Sequence, residues 1–584
     1  MASPLAPFRE ALASAVARSQ GLSDHDREAL VRTVREPEPE HGDLALPCFS
    51  LAKARKERPD AVAKALAASL AEDPMWHDVH AAGPYLNVRL SAAALAGAVV
   101  PAARDERYGR SDAGRGRTVV IDFSSPNIAK PLGFHHIRST AIGAALTRLH
   151  RAQGWTVVGI NYLGDWGKQF GLLATGFARH GDPARRGDAK HLIEVYVRAN
   201  READVAGRKA TIQRPETARA QIAALEAARA EPVPDEPKAK KKREKTLRGL
   251  ERKLRAERGL EGDADPLGDV ESWLGLLDAA AEKARAALPD AEVKDREARR
   301  FLRRMEDGDE AALATWREFR QTSVEDFERV YGRMNVAFDH IEGEAKYQDV
   351  LEATVARVRQ QPGTRESEGA EIVDLPYADG EPPVLIKTRD GTTLYVTRDI
   401  AAARDRFERF AFDRSLYVVG ADQSLHFQQL FRTLSAMGCE WADRCAHVPF
   451  GRMHGMSTRR GNIVFLDEVL DEAVQKARAI CEASDKIDRA RLDETVEAIG
   501  VGAIVFGDLK NLRTTDYTFD WDDVLAFDGH TGPYVQFSHA RTCSILRKAG
   551  GVPDDADLSA LALPEERALL MALARYPDAV ESAC

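Results

Sequence analysis

The sequence predicts a multidomain α/β protein: a doubly wound parallel sheet carrying an inserted helical arm, with an N-terminal α+β unit before it and an all-α unit after it. Three observations predict this. The stretch Thr118–Gly171 reads strand, polar loop, helix, strand. Residues 203–300 then break the alternation with a run dominated by Ala, Glu, Lys and Arg. Finally, 584 residues with 44% hydrophobic content suffice for three or four buried cores.

The central stretch opens on Thr118-Val119-Val120-Ile121-Asp122-Phe123, a β-branched and aromatic run with the composition of a buried strand. A Ser/Pro/Asn/Gly loop ends it. From His136 the period changes: Ile137, Ala141, Ala144, Ala145 and Leu149 recur at helical spacing, and Gly154 stops the helix before a second strand, Trp155–Ile160. In such a βαβ unit, ligands sit beyond the carboxyl ends of the strands, where a helix N-terminus offers free N–H groups and a positive dipole end. The loop adds Lys130, His135 and His136, a set suited to nucleotide phosphates. On pattern alone the same residues also suit a turn that only caps its helix.

Three blocks carry more. Ser125-Pro126-Asn127-Ile128-Ala129-Lys130-Pro131, His136-Ile137-Arg138-Ser139-Thr140 and Asn161-Tyr162-Leu163-Gly164-Asp165-Trp166-Gly167 stand in this order, and together they closely resemble the arginyl-tRNA synthetases. That family belongs to the class I aminoacyl-tRNA synthetases. The resemblance implies a Rossmann-like catalytic domain over 111–470, ATP as a substrate with Mg²⁺, L-arginine and tRNA(Arg) as partners, and ligation of arginine to the tRNA.

Composition sets outer bounds. No run of 18 apolar residues occurs and the N-terminus MASPLAPFREALASA lacks a leader's basic and apolar regions, so a cytoplasmic protein without a membrane span is expected. Cys48, Cys439, Cys445, Cys481, Cys543 and Cys584 show no CxxC or metal spacing, which predicts reduced thiols and no protein-bound metal. A formal charge of −9 argues against a generally basic coat but leaves local basic patches open for RNA.

In chain order, residues 1–110 read as a small separate domain with helices over Phe8–Ser19 and Asp60–Ala71 and a strand over Gly83–Leu90. Glu40-His41-Gly42-Asp43 followed by AGPYLNVRLS is similar to the family's N-terminal domain, which implies a grip on the tRNA elbow; a packing or oligomerisation domain is the plain alternative. Within 203–300, breaks at Glu231–Pro234 and Gly262–Gly268 divide helices that form a projecting hairpin. Lys238–Arg258 is densely basic, a solvated face or an RNA-backbone contact. Trp316–Met334 reads as a helix, and Val384-Leu385-Ile386 and Thr393-Leu394-Tyr395-Val396 as strands returning to the sheet, the latter leading into a helix that begins near Arg398.

The resemblance also implies a substrate pocket. Tyr395, Asp399 and Gln423 match positions holding the arginine side chain, and a carboxylate suits a planar guanidinium because it can grip it with two hydrogen bonds. Ser125, Pro126, Asn127 and His136 match positions at the amino-acid backbone end, with Asn161 in support. For the nucleotide, Gly455-Met456-Ser457-Thr458-Arg459-Arg460-Gly461 is similar to the family's second signature, Lys-Met-Ser-Thr-Arg-Lys-Gly, with Gly455 in place of the first Lys. The first signature, His-x-Gly-His, also departs. Gly133 stands where the first His belongs and His135 where the Gly belongs. Lys130, His135, His136, Met456, Ser457 and Arg459 are expected at ATP, with His136, Lys130, Arg459 and Arg460 supplying the catalytic donors and charge.

Residues 471–584 resemble the start of the family's helical anticodon-binding domain, which implies RNA contacts from Tyr534, Gln536, His539, Arg541 and Arg547 on one helix. The resemblance leads us to expect that this domain is incomplete at Cys584, and that the protein is a monomer. Two rivals stay open: an RNA-binding paralogue with weakened or lost ATP chemistry, favoured by the altered signatures, and a general nucleotide-binding scaffold without preference for arginine.

Overall fold

The five strands of the central sheet are all parallel, in the spatial order Cys445–Phe450, Arg414–Gly420, Thr118–Asp122, Thr156–Leu163, His340–Gly343. The chain starts the sheet in the middle, builds outward through two strands, then crosses back to the other side of the first. Such a doubly wound sheet has a switch point, here between Thr118–Asp122 and Arg414–Gly420. Val119 pairs with Val157 on one side and with Arg414 on the other, and Val119, Val120 and Ile121 are fully buried, as a strand covered on both faces must be. The computed structural model describes residues 3–128, 130, 132–260, 262, 264–361, 363–375, 381–387, 395–455, 464–484, 487–552, 556–561 and 563–584.

The helix Ile137–Ala152 follows the first strand through a 3₁₀ turn, Phe134–His136. Its approach to the sheet needs Gly143, where a Cβ would come 2.1 Å from Cγ of Phe123.

Two strand assignments fail. Val384–Lys387 is a strand, but it edges a separate antiparallel sheet with Thr364–Ser367 and Ala370–Val373. Tyr395 and Val396 open the helix Tyr395–Phe410, which thus begins earlier than Arg398, while Thr393 and Leu394 lie outside the described residues. The buried stripe Val396, Ile400, Ala403 explains the helix; a four-residue window ending at Val396 cannot display it.

The charged insertion forms three helices, Val205–Ala230, Pro237–Arg258 and Val270–Glu306. The last is rooted in the core, where a Cβ on Gly171 would sit 2.0 Å from the Ala298 carbonyl oxygen and Lys168 pairs with Asp295 at 2.7 Å. Glu310–Arg333 then returns the chain to the sheet.

An antiparallel sheet ordered Leu44–Pro47, Tyr85–Leu90, Trp76–Ala82 forms the N-terminal unit with helices that include Ala6–Gln20 and Pro59–Leu70. Beyond the central sheet, Leu492–Leu509 packs against Leu466–Glu482 and Gly532–Ala549. The last helix, Pro564–Ser582, lies elsewhere: Leu570, Met571 and Ala574 join the N-terminal core, and the Tyr576 ring stacks on Tyr108 at 6.0 Å. Among the described residues no helix is long and apolar enough to cross a membrane.

Candidate functional site

A cleft of about 630 Å³ opens at the switch point. Ser124, Ser125 and His136 line it from the first strand's loop, Gln423 from the loop after Arg414–Gly420, and Arg452 and His454 from the segment after the edge strand. Three carboxyl strand ends therefore converge on one space.

Its floor is strained and over-determined. Ser124 and Ser125 have φ of 70° and 48°, a region β-carbon residues seldom occupy. The amide of Ser124 donates to Ser139 Oγ at 2.9 Å, and its hydroxyl bonds Thr140 Oγ1 at 2.8 Å and the Tyr331 hydroxyl at 2.7 Å. The Ser125 amide donates to Asn161 Oδ1 at 3.1 Å and its hydroxyl to Asp122 at 2.8 Å, while Arg406 donates to the other Asp122 oxygen at 2.7 Å. Asn161 is buried and so holds the loop from beneath. Pro126 is buried, whereas Asn127 is exposed and pairs with Gly164 in an isolated parallel bridge.

His135 and His136 stand with ring centroids 4.0 Å apart. Burial, then the neighbouring His135, pushes the His136 imidazole down to about 3, against the pull of the Gly133 carbonyl. His135 is lowered too, by burial and then by Lys130. Both rings are thus neutral at pH 7. Because the Gly133 oxygen can only accept, the 3.1 Å contact places the His136 proton on Nδ1.

Met456, Ser457, Arg459 and Arg460 lie outside the described residues. Both flanks of that segment are fixed at the cleft. His454 lines it, and on the far side the Phe134 amide donates to Val464 at 2.8 Å and the Leu466 amide to Leu132 at 2.8 Å. Arg138 fastens the near flank: its guanidinium donates to the carbonyls of Gly451 at 2.8 Å, Thr515 at 3.1 Å and Arg513 at 3.2 Å, and faces Asp508 at 3.2 Å.

Beside the cleft is an acidic recess. Asp399, on the helix Tyr395–Phe410, hydrogen-bonds His426 Nε2 at 2.6 Å. Glu344, at the end of the strand His340–Gly343, is buried; burial and then the fields of Asp399 and Asp165 push its carboxyl up to about 8, although Arg398 opposes them. The buried Tyr162 hydroxyl has no hydrogen-bond partner among the described residues, and burial followed by Asp399 and Glu344 raises it far above its ordinary value. Two carboxyl groups and an unpartnered hydroxyl thus meet in a recess whose nearest cation to Glu344 is Arg398, at 4.0 Å. Glu344, Tyr162 and His426 were missed from sequence. The available signal was position, since Glu344 and Tyr162 lie at or beyond the carboxyl half of parallel strands.

Of the residues expected around the amino acid, the structure brings Ser125, His136 and Gln423 to the cleft, with Asn161 below and Asp399 in the adjoining recess. Tyr395 opens its helix at 67% exposure and does not line the cleft. Lys130 is half-buried near the two imidazoles. In the helix Gly532–Ala549, Tyr534, His539, Arg541 and Arg547 are exposed, but Gln536 donates to the Ala498 carbonyl at 2.9 Å and packs on the neighbouring helix.

Comparison with known proteins gives three family matches: "tRNA synthetases class I (R), catalytic domain" over residues 100–231 and 261–521, "Arginyl tRNA synthetase N terminal domain" over 6–90, and "DALR anticodon binding domain" over 535–584. A curated arginine–tRNA ligase of Exiguobacterium sibiricum is 38% identical over 532 residues, covering 89% of this chain and 79% of its own. One from Clostridioides difficile is 36% identical over 552 residues, covering 93% and 82%. In fold, the chain resembles the Thermus thermophilus arginyl-tRNA synthetase structure at a TM-score of 0.63 and 23% identity, over 98% of this chain and 87% of that one.

Proposed function

The chain belongs to the arginyl-tRNA synthetase family of class I synthetases, and from that premise we propose how its residues perform the reaction of an ATP-dependent arginine–tRNA ligase. L-Arginine and ATP give arginyl-adenylate and pyrophosphate; the tRNA(Arg) 3′ ribose hydroxyl then takes the arginyl group and releases AMP. One observation carries the reading of the site: the strained Ser124-Ser125 loop, His136 and both flanks of 456–463 meet at the switch-point cleft, next to a recess with the carboxyls of Asp399 and Glu344 and the unpartnered Tyr162 hydroxyl.

The arginine guanidinium enters the recess between Asp399 and Glu344, with the Tyr162 hydroxyl and Gln423 as further partners. Glu344 ionises when the cation arrives, because the new charge offsets the burial that holds its proton. Ser125 and Asn127 receive the backbone end. The arginine carboxylate attacks the α-phosphorus in line, and the chain's work is to position the reactants and neutralise the equatorial oxygens. His136 and Lys130 do so from the first loop, with Met456, Ser457, Arg459 and Arg460 from the second. Among the described residues no cluster of three or more His, Cys, Asp or Glu could cage a metal. Mg²⁺ would supply charge neutralisation as MgATP, the mode a small, strongly hydrated cation favours. We assign residues 1–110 to the tRNA elbow and exposed Tyr534, His539, Arg541 and Arg547 to the anticodon, in a cytoplasmic monomer whose arginine activation requires bound tRNA.

Transfer of labelled arginine to tRNA tests the reading. An arginine ester that depends on ATP and excludes lysine is expected; tRNA retention without any ester would instead identify an RNA-binding paralogue.

A further inference from the structure

The family's catalytic-domain match passes over residues 232–260, and the helix Pro237–Arg258 occupies that gap. It carries eleven Lys and Arg against three Glu, in a chain whose overall charge is −9. Its side chains are sorted by face. Leu247, Leu250 and Leu254 pack against Ile222, Leu225 and Trp273 of the flanking arm helices. Arg243 donates to the carbonyls of Ala228 at 3.0 Å and Glu231 at 2.6 Å, and Arg258 to Pro266 at 2.7 Å. Glu251 and Glu257 also turn toward the arm, pairing with Arg229 at 2.9 Å and Arg214 at 3.2 Å. These charges serve the arm's own packing.

The opposite face is different. Lys238, Lys241, Lys245, Arg248 and Arg252 are exposed and form no ion pair or hydrogen bond among the described residues. Their spacing of three and four residues sets them in one row roughly 21 Å long at 1.5 Å per residue. Like charges at that spacing repel one another, so the row weakens the isolated helix. The arm's long helix is built the other way, with Arg299 bonded to Asp295 at 2.8 Å and Lys294 to Asp290 at 2.7 Å, each one turn apart. A merely solvated face would tolerate the same compensation.

We propose that this row is a docking surface for the sugar-phosphate backbone of tRNA, held out from the catalytic unit on the arm. The arm's root is Gly171 against Ala298, and the basic helix contacts the arm around Trp273, roughly 38 Å away along the long helix. The occupant follows from chemistry. A basic helix on a membrane inserts its apolar face, and here that face is already buried in the arm. A protein partner needs apolar or aromatic anchors at the centre of its patch, and the row contains none. Evenly spaced unpaired cations meet what phosphate contacts require, without base recognition. The inference rests on tRNA being the substrate, and it adds a contact outside the part of the chain that matches the family.

The test replaces Lys238, Lys241, Lys245, Arg248 and Arg252 together by Gln, a good helix former, and compares the full chain with wild type in tRNA binding and charging. At 0.1 M salt the Kd and KM for tRNA should rise tenfold or more, with kcat and the KM for arginine unchanged. The slope of log Kd against log salt should fall by about 4, since each lost phosphate contact removes close to one unit. A variant with all three lysines of the row changed to Arg, retaining charge, should bind as wild type does and shows that the helix tolerates substitution. Normal charging by the Gln variant with unaltered Kd and slope overturns the proposal while leaving the ligase reading intact. Loss of binding to vesicles rich in anionic lipid, with tRNA affinity unchanged, overturns it in favour of a membrane. Wild-type chain that binds tRNA through the row yet forms no ester sustains the proposal and defeats the ligase reading.

Discussion

Arg406 donates to Asp122 at 2.7 Å with side-chain exposures of 1% and 7%, and the second Asp122 oxygen accepts the Ser125 hydroxyl at 2.8 Å. A buried ion pair thus stands directly under the strained loop. Removing one partner leaves the other charged without compensation, at about 3–5 kcal/mol. Arg406→Met should therefore lower stability by that amount in urea unfolding of the sheet unit, and Asp122→Asn combined with Arg406→Met should restore part of it. A double variant no more stable than the single one would show that the pair contributes little.

Asp399→Asn removes a recess carboxylate held in place by its hydrogen bond with His426. Charge-assisted hydrogen bonds contribute about 1.5–3 kcal/mol, so the KM for arginine should rise roughly 10–100-fold, with a smaller effect on the KM for ATP. Glu344→Gln should act in the same direction. Equal loss for arginine and ATP would remove the recess from side-chain recognition.

The His136 imidazole, held at about 3 against an ordinary 6.5, is stabilised as the neutral form in the fold. Its contribution to stability is fully present above pH 6.5 and is lost as the pH falls toward 3. Proton NMR of the ring in the free protein should show it neutral at pH 5. Triphosphate binding should raise its titration, because the anion favours the imidazolium. A ring that titrates near 6.5 in the free protein would contradict the buried, neutral placement.

By its resemblance to the family's second signature, Gly455 stands where that signature has Lys. Its φ is 96°, and a Cβ there would stand only 3.0 Å from the Phe519 carbonyl oxygen, which excludes an unstrained side chain. Gly455→Lys should accordingly reduce arginine-dependent pyrophosphate exchange in the presence of tRNA rather than improve it. A faster exchange would mean that the flank re-forms around the new residue.

Lys130 stands near both imidazoles and supplies a cation in a loop whose signature is otherwise altered. Lys130→Ala should slow pyrophosphate exchange at least tenfold, the scale of one lost charge-assisted contact of about 1.5 kcal/mol or more. An unchanged rate would take Lys130 out of the site.

Local composition and periodicity determined much of this molecule by themselves. Thr118–Phe123 and the arm helices were legible from their composition and the breaks that bound them, and the helix after His136 from side chains that repeat at helical spacing. The ordered signature blocks likewise located the first loop, and the match to the family's substrate pocket located Gln423; the structure brings both to one cleft. Only the tertiary structure decided the rest. Val384–Lys387 left the central sheet and Tyr395 opened a helix because partner strands and buried faces lie far away in the chain. Glu344 and Tyr162 became a recess with Asp399 only when separate strand ends converged, and Pro564–Ser582 joined the N-terminal core through contacts hundreds of residues apart. A sequence window reports what repeats within it, whereas burial, field and partnership depend on what the folded chain brings alongside.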